Sequence, residues 1–431
     1  MTSIFDKKRF GITKTSSRGR FFRINKDLLS DMLKVSLNTI IIALLNIAFH
    51  LILSRKLGPA QYGELDTLLT INSAVMISVS AVSFIITRFV SYYRTRQQYD
   101  KMKYLARWAF VFFFFIGFIA CIFTMIIAKD VAMFLNMDVG IIMIFSILLW
   151  ISFLMPIIEG ILRGLQEFRL IGVYKILDMF LRVSISLILV FLGLQIKSVI
   201  IGLVIGSAVA LIFAVYFLKD NYIVKSHHTE MKDIYIFAIP VFLACIFLAL
   251  LMNADMVLVK HFFDPQIAGQ YAAAGALAKL IVGIAIASAG VMFPKIVEHY
   301  SNGYASKAVE TLRNTLKMTL CIGTIMTLAM ASFPGTVSRL IFGPQYVIDY
   351  MLSIYAVAML LLSITCILMF YNLAAKKYTF VYVMFFMAFI TIYQIWHYHA
   401  TVYSIVWALL VINVLVTSFM VVNNKKELFG A

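Results

Sequence analysis

The chain alternates between long apolar runs and short polar segments. Twelve of the runs have about 20 residues, the length that an α-helix needs to cross the hydrocarbon core of a bilayer. This pattern predicts an all-α polytopic membrane protein with about 12 transmembrane helices. The predicted spans are 33–54, 64–90, 107–128, 139–161, 171–194 and 199–218 in the first half, and 234–259, 267–293, 315–333, 348–371, 378–395 and 402–422 in the second.

The turn between the first two runs has a counterpart 206 residues later in the chain. Pro59 corresponds to Pro265 and Gly63 to Gly269, and segments 131–135 and 337–341 share the same offset. Proline starts a turn because it cannot continue a helix, and glycine lets two backbones approach closely. The offset predicts two tandem, pseudo-repeated halves. Six spans in each half give both halves the same orientation, as two parallel six-helix lobes around a central cleft.

The distribution of basic residues predicts which segments face the cytoplasm. With the amino terminus inside, cytoplasmic segments carry 27 of the 37 Lys and Arg residues, whereas the outer connections carry Arg55, Lys56, Lys129, Lys197, Lys260 and Arg339. Because basic loops stay on the cytoplasmic side, we expect a multi-pass membrane protein with both termini inside. The predicted segments are a basic arm (1–30), an N-terminal lobe (31–218), a cytoplasmic linker (219–233), a C-terminal lobe (234–422) and a cytoplasmic tail (423–431).

Composition supports the membrane assignment and argues against nucleic acid as a partner. Of the 431 residues, 62% are hydrophobic, and the mean hydropathy is +0.95, whereas soluble domains have roughly 45–50% apolar residues. The formal charge of +17 comes mainly from bases in the connections between spans. Such bases orient a membrane protein, so the excess charge needs no polyanion to explain it.

The sequence shows no pattern of a cofactor, a metal site or an enzyme. The cysteines lie inside apolar runs without metal-ligand spacing, and the chain has no nucleotide-binding loop. A polysaccharide polymerase or ligase, the enzyme class with a similar number of spans, would need a large outer loop with polar catalytic residues. Here every outer connection is short. We therefore expect a transporter without cofactor or metal. The four cysteines are Cys121, Cys245, Cys321 and Cys366.

The fifth predicted span carries charges at one face. A charge at bilayer depth costs about 2.5–3.5 kcal/mol on insertion scales, so it usually faces protein or water. Lys175, Asp178 and Arg182 lie within about 60° around a helix, and Ser186 continues that face. The stripe predicts an electropositive track for an anionic group. The alternative is a local Lys175–Asp178 ion pair, with Lys175 reaching to the interface.

Two further bases lie in predicted spans. Lys279 is near the middle of its span, where we expect it either to line the cleft or to form a salt bridge with Asp255. Arg88, at the inner end of its span, is suited to a substrate headgroup or to a lipid phosphate. The sequence-predicted substrate-binding residues are therefore Arg88, Lys175, Arg182 and Lys279.

A few acids and amides complete the candidate site. A carboxylate inside a span can bind a coupling proton or cation, although structural pairing explains it equally well. Amide and imidazole groups can line a polar cleft or form hydrogen bonds between helices. The candidates for ion coupling are Glu159, Asp178 and Asp255, and those for lining the cleft are Asn46, His50 and Asn253.

Three segments resemble those of a known transporter family. Residues 53–63 (LSRKLGPAQYG) are similar to the first outer turn of polysaccharide and oligosaccharide flippases, and residues 161–168 (ILRGLQEF) to their inner turn between helices 4 and 5. Residues 253–255 (NAD) with 268–274 (AGQYAAA) resemble the start of their second half. The superfamily also includes multidrug-and-toxin extrusion antiporters and lipid II flippases. Lipid II flippases usually have fourteen helices, so the twelve predicted here argue against that branch.

The resemblance implies alternating access by rocking of two lobes. It also implies that a polyprenyl-pyrophosphate-linked oligosaccharide moves from the inner to the outer leaflet of a bacterial or archaeal plasma membrane. Membrane lipids, a polysaccharide polymerase and glycosyltransferases are the partners implied. An antiporter of cationic drugs is the main alternative, but it would need acidic residues in the cleft to bind them. The predicted cleft is more basic than acidic.

Overall fold

Every regular element in the described part of the chain is an α-helix. The computed structural model describes residues 26–193, 195–222, 232–346, 348 and 350–429. The prediction of an all-α membrane fold is confirmed. The helices are α1 (Lys26–Thr95), α2 (Tyr99–Ile126), α3 (Ala128–Leu135), α4 (Val139–Gly164), α5 (Phe168–Phe191), α6 (Gln195–Tyr222), α7 (Lys232–Phe262), α8 (Pro265–Ser301), α9 (Ala305–Ser332), α10 (Pro334–Phe342), α11 (Tyr350–Ala374), α12 (Phe380–His397), α13 (Val402–Asn423) and α14 (Lys425–Phe429).

Helix α1 is a hairpin of two arms, residues 26–57 and 59–95. Gly58 has φ 73 and ψ 171, a non-helical conformation that glycine adopts without steric cost. In a straight helix, residues twelve positions apart would be separated by about 18 Å. Instead, His50 Nδ1 lies 2.9 Å from the Tyr62 hydroxyl. The Gly58-Pro59 break therefore reverses the chain between two antiparallel spans, as the sequence predicts.

The structure accounts for the predicted number of spans. In the described residues, ten helices are long and apolar enough to cross a membrane, and one of them, Leu44–Arg94, contains the bend of α1. Helix α5 has 24 residues, so it is about 36 Å long and can cross a core of about 30 Å. It is not among these ten apolar helices because of its charged residues. Counting both arms of α1 and adding α5 brings the number to twelve.

The two lobes repeat one another in helix order. An offset of 206 residues places the start of α3, Ala128, on the start of α10, Pro334. Both are short helices that follow the third span of their lobe. The same offset places Pro59, which opens the second arm of α1, on Pro265, which opens α8. The tandem architecture is confirmed. The predicted arm and linker fall largely outside the described residues, so their boundaries stay predictions.

The lobes meet along the second arm of α1, which packs against α7 and α8. Small residues make this packing possible. A Cβ atom added to Gly63 would lie 2.8 Å from the backbone nitrogen of Gly269, closer than real Cβ contacts allow. Away from the interface, α2 and α12 expose large apolar side chains such as Ile126, Tyr382 and Phe386. These surfaces suit contact with lipid tails.

Candidate functional site

Five charged residues of α4 and α5 form one cluster inside the N-terminal lobe. Arg182 Nε lies 2.8 Å from Asp178 Oδ1. On the neighbouring α4, Glu159 Oε2 lies 2.9 Å from Arg163 Nη2 and 3.1 Å from Lys175 Nζ. We name these five residues the lobe cluster. It contains three bases and two acids, so it has an excess of one positive charge.

Arg182 lies among three helices of this lobe. Its Nε donates to Ser207 Oγ of α6 at 2.6 Å, and its Nη2 lies 3.3 Å from Met155 Sδ of α4. Gly206 lets α6 approach closely, because a Cβ there would lie 2.6 Å from the Arg182 backbone nitrogen. The Arg182 side chain is 15% exposed. These contacts hold it within the N-terminal lobe.

The ion pairs on α5 differ from the local pair considered from sequence. Lys175 pairs with Glu159 rather than with Asp178, and Asp178 pairs with Arg182. Helical spacing alone places Lys175 near both Asp178 and Arg182. The packing of α4 against α5 brings in Glu159, which spacing within one helix could not indicate. Ser186 continues the stripe but is buried, and it donates to the carbonyl oxygen of Val199 at 3.1 Å.

A second cluster lies where the lobes meet. Asp255 of α7 is 2% exposed. Its Oδ2 accepts hydrogen bonds from the hydroxyls of Tyr271, at 2.8 Å, and Tyr355. Its Oδ1 lies 3.8 Å from Lys279 Nζ of α8. The Asp255–Lys279 salt bridge considered from sequence is therefore present.

Asp66, on the second arm of α1, brings a second carboxylate to this site. It is 8% exposed and close enough to Lys279 and Asp255 to interact electrostatically with both. We name Asp66, Asp255 and Lys279 the interlobe cluster. Asp66 is not among the sequence-predicted site residues, although it lies inside the predicted span 64–90, where any ionisable residue is a candidate functional group.

Asn253 links the lobes beside this cluster. Ser73 Oγ of α1 donates to Asn253 Oδ1 at 3.0 Å, and the amide of Asn253 donates to the carbonyl oxygen of Ala249 at 2.9 Å. Asn253 is 3% exposed. The residue predicted to line the cleft thus lies at the interface between α1 and α7.

The other predicted residues lie in different surroundings. His50 bonds to Tyr62 within the α1 hairpin, whereas Asn46 is exposed. The Arg88 guanidinium lies 5.8 Å from the Phe89 ring centroid, and Arg88 interacts electrostatically with Tyr378 in the connection between α11 and α12. Of the predicted substrate-binding residues, Lys175 and Arg182 share the lobe cluster, while Lys279 belongs to the interlobe cluster.

Backbone groups join the lobes at the end that carries the α1 bend. Arg55 Nη2 donates to the Leu340 carbonyl oxygen at 2.8 Å. The Ser54 carbonyl oxygen accepts from the Tyr346 hydroxyl at 3.0 Å and from Gln345 Nε2 at 3.1 Å. We name this contact region, together with the approach of Pro59 to Gly269, the turn seam. It holds the lobes closed at this end.

A buried ion pair lies at the same end. Lys260 Nζ of α7 is 3.7 Å from Glu64 Oε1 of α1, and the Lys260 side chain is only 1% exposed. On the neighbouring side, His261 Nδ1 lies 2.7 Å from the carbonyl oxygen of Phe134 in α3. These contacts also connect the two lobes. Lys260 is predicted from sequence in an outer connection, but it lies in the last turn of α7.

Comparison with known proteins identifies both a family and a fold. A family model described as polysaccharide biosynthesis protein matches residues 28–299. No match was found among curated proteins. An inward-facing multidrug resistance MATE family transporter of the MOP superfamily has a TM-score of 0.72 and 15% identity, with 93% of this chain and 98% of that chain covered.

Two other solved structures give similar agreement. An outward-facing multidrug resistance MATE family transporter of the MOP superfamily has a TM-score of 0.61 and 14% identity, with 93% of this chain and 96% of that chain covered. A mutant of the Vibrio cholerae MATE transporter VcmN has a TM-score of 0.67 and 14% identity, with coverages of 94% and 98%. The chain therefore has the two-lobe fold of these transporters along nearly its whole length.

Proposed function

We infer a function from one premise: the chain belongs to the polysaccharide biosynthesis protein family. We propose that it flips a polyprenyl-(pyro)phosphate-linked oligosaccharide across the plasma membrane by alternating access, for surface polysaccharide synthesis. Both termini face the cytoplasm in this proposal. The lipid tail stays in the bilayer, and glycosyltransferases and a polymerase act before and after the transport step.

The lobe cluster is the observation that carries this proposal. Its three bases exceed its acids by one, and the side chains of Arg163 and Lys175 are 35% and 37% exposed. An incoming pyrophosphate can therefore reach them, and it can compete with Glu159 and Asp178 for their charge. Arginine suits this role because its planar guanidinium makes two parallel bonds to a phosphate. The bases of the lobe cluster would then compensate the negative charge of the pyrophosphate while it leaves water.

Substitution of Arg182 tests this role in pyrophosphate binding. A fluorescent polyprenyl-pyrophosphate oligosaccharide is reconstituted with the protein in vesicles, and a membrane-impermeant quencher reports its appearance in the opposite leaflet. We expect Arg182→Ala to reduce the rate at least tenfold, which corresponds to about 1.4 kcal/mol. The matched control is Arg169→Ala, an exposed base in the first turn of the same helix, which should leave the rate unchanged.

A structural role for Arg182 predicts a different result. Arg182→Ala leaves Asp178 without its partner, and the combined Arg182→Ala, Asp178→Ala variant removes that defect. If Arg182 binds substrate, the combined variant stays slow even when its thermal stability is restored. Recovery of the full rate in the combined variant would contradict substrate binding by Arg182.

The interlobe cluster supports a second candidate, a cation-coupled antiporter of small cationic molecules. Asp66 and Asp255 exceed Lys279 by one charge, so this part of the interface is more acidic than the sequence suggested. The fold neighbours described above are multidrug transporters. A pH-driven efflux assay with fluorescent organic cations discriminates between the two. Efflux that is lost in Asp255→Asn, with no flipping of the lipid-linked oligosaccharide, would favour the antiporter.

A further inference from the structure

A polar crevice opens at the end of the molecule that carries the turn seam. It has a volume of about 1180 Å³ and lies between the start of the second arm of α1, the short helix α3, the start of α4 and the connection from α5 to α6. Small-molecule pockets in proteins usually enclose about 300–1,000 Å³, so this crevice has room for a ligand of several rings. It is separate from the lobe cluster: Val139 lines the crevice, whereas Glu159 lies about 30 Å farther along the same helix.

Three amide side chains in the lining have unused hydrogen-bonding groups. Gln61, Asn136 and Gln195 line the crevice, and none of these side chains bonds to another residue in the part of the chain that the structure describes. Each amide offers two N–H donors and a carbonyl acceptor. A hydroxyl group both donates and accepts. The amides therefore suit a ligand that carries several hydroxyl groups.

The charged residues that line the crevice are balanced. The acids are Glu64 and Asp138, and the bases are Lys129 and Lys197. Asp138 Oδ1 lies 3.1 Å from Lys197 Nζ, so these two side chains compensate one another. A polyanion would be repelled by the two carboxylates, and an organic cation by the two ammonium groups. An uncharged ligand rich in hydroxyl groups avoids both conflicts.

Glu64 connects the crevice with the other lobe. Its side chain is 20% exposed, and Lys260 Nζ approaches it from α7 at 3.7 Å, which is longer than a direct hydrogen bond. The Lys260 ammonium group is buried and has no hydrogen-bond partner among the described residues. Lys260 thus compensates the charge of Glu64 without occupying its oxygen lone pairs. Those lone pairs can accept hydrogen bonds from hydroxyl groups that enter the crevice.

We propose that this crevice binds the saccharide part of the cargo, through its hydroxyl groups, at the end of the molecule where transport is completed. With both termini in the cytoplasm, the turn seam and the crevice beside it face the outside. That the saccharide belongs to the cargo rests on the proposed function, whereas the site itself rests on its lining. Met133, 77% exposed, adds an adaptable apolar side chain for the C–H face of a sugar ring. Because Glu64 and Lys260 belong to different lobes, the bound saccharide contacts an ion pair that joins them.

Saturation-transfer NMR provides the test, because it detects weak saccharide binding directly. The full-length protein is placed in lipid nanodiscs, where both of its faces are accessible. The probe is the water-soluble oligosaccharide that mild acid releases from the lipid-linked oligosaccharides of the cells in which the protein occurs. A titration gives its Kd, and nanodiscs without protein give the background. We expect saturable binding that requires the protein.

Two amides of the lining can be removed with little effect on the fold. Asn136 has φ 49, a left-handed conformation that glycine keeps, so Asn136→Gly removes only the amide side chain. Gln195 is exposed at the start of α6. We expect the combined Asn136→Gly, Gln195→Ala variant to raise Kd about tenfold, because the hydrogen bonds of both amides are lost. Gln97→Gly is the matched control: Gln97 is exposed, has φ 56 and lies in the connection between α1 and α2, so Kd should not change.

A second variant tests the role of Glu64. Glu64→Gln combined with Lys260→Met removes both charges, so neither is left buried without its partner. Saccharide binding should weaken several-fold, because a hydroxyl group bonds more strongly to a carboxylate than to a neutral amide. The Tm should stay close to that of the wild type, which separates this effect from a loss of folding.

Three outcomes would overturn the proposal. The first is the absence of saccharide binding above the background, and the second is an equal Kd in the wild type and the combined Asn136→Gly, Gln195→Ala variant. The third is displacement of the saccharide by an equal concentration of inorganic pyrophosphate, which would assign the crevice to the anionic group of the cargo. Saccharide binding that depends on the two amides, without flipping in the vesicle assay, would support the crevice and contradict the proposed function. Flipping without saccharide binding would do the reverse.

Discussion

The lobe cluster and the interlobe cluster contain the same kinds of side chain in different proportions. The lobe cluster has an excess of base, lies within one lobe and is partly exposed at Arg163 and Lys175. The interlobe cluster has an excess of acid, joins the two lobes and is nearly closed to solvent at Asp255. The net charge summed over both clusters would not reveal this difference. The lobe cluster, which we propose as the anion site, therefore differs from the interlobe cluster in charge, burial and position.

The difference in burial also separates the energies of the two clusters. Partly exposed ion pairs contribute little to stability because water and salt screen them. A buried pair is costly to break, because the remaining charge loses its compensation. Variants of the interlobe cluster should therefore affect both stability and transport, whereas variants at the exposed edge of the lobe cluster should affect mainly transport.

Removal of Lys279 should have the largest effect. Lys279→Ala leaves Asp255 Oδ1 buried without a cation, and we expect the folded protein to lose about 3–5 kcal/mol. Thermal unfolding of the purified protein at alkaline pH, followed by tryptophan fluorescence, measures the loss. Lys279→Ala combined with Asp255→Asn removes both charges and should recover most of the stability. An unchanged Tm in Lys279→Ala alone would show that the pair is already screened.

Two glycine variants should disturb one cluster each. In Gly269→Ala the new Cβ would lie 1.9 Å from the Pro59 carbonyl oxygen, and in Gly206→Ala it would lie 2.6 Å from the Arg182 nitrogen. Overpacking of this kind costs about 1–3 kcal/mol. We expect both variants to slow flipping, Gly269→Ala by forcing the lobes apart at the turn seam and Gly206→Ala by moving α6 away from Arg182. Adding Arg182→Ala should slow Gly269→Ala further but leave Gly206→Ala, in which Arg182 is already displaced, nearly unchanged. Equal further slowing of both variants would show that the two places do not act separately.

Replacement of Arg182 by lysine should have a moderate effect. Arg182→Lys keeps the positive charge near Asp178 but loses the second planar contact with a phosphate. We expect a flipping rate between those of the wild type and Arg182→Ala, with a Tm close to that of the wild type. The vesicle assay with impermeant quencher gives the rate. A Tm as low as that of Arg182→Ala would indicate that packing, rather than charge, is what Arg182 contributes.

The smallest effect on stability should come from Arg163. Its pair with Glu159 is partly exposed, so after discounting for solvent screening Arg163→Ala should cost about 0–1 kcal/mol. Lys175 still pairs with Glu159 in this variant. We expect a small shift of Tm together with a measurable rise in the substrate concentration needed for half-maximal flipping. A large fall in Tm would remove the contrast between the two clusters.

The sequence predicted the architecture well because membrane insertion imposes simple constraints. An apolar run must be long enough to cross the bilayer, and a proline beside a glycine interrupts it visibly. Pro59 and Pro265 therefore mark corresponding turns in the sequence itself. Helix α5 is predicted as a span despite its charges because a run of about 20 mainly apolar residues is long enough to cross the bilayer.

The site was harder to predict because its interacting residues come from different helices. Asp255 and Lys279 could be considered as a pair from sequence, since they lie in consecutive spans and a long lysine side chain can reach the neighbouring helix. Among the described side chains of its own helix Asp66 has no charged partner, so no spacing pattern indicated its place beside them. Lys175 was considered with Asp178 because both lie on α5, but packing supplied Glu159 from α4. Helix periodicity gives the face of a residue, and only the packing of helices gives its neighbour.

The approach of Pro59 to Gly269 constrains how the molecule can open. Where side chains form a barrier, one ring or one long chain can rotate out of the way and admit a narrow file of water. Here the obstructing atoms belong to the main chain itself, with a carbonyl oxygen against a glycine that has no Cβ to move. Such a contact ends only when one rigid segment tilts away from the other. Leakage through partial opening is thereby suppressed, and passage depends on a discrete, large-scale displacement.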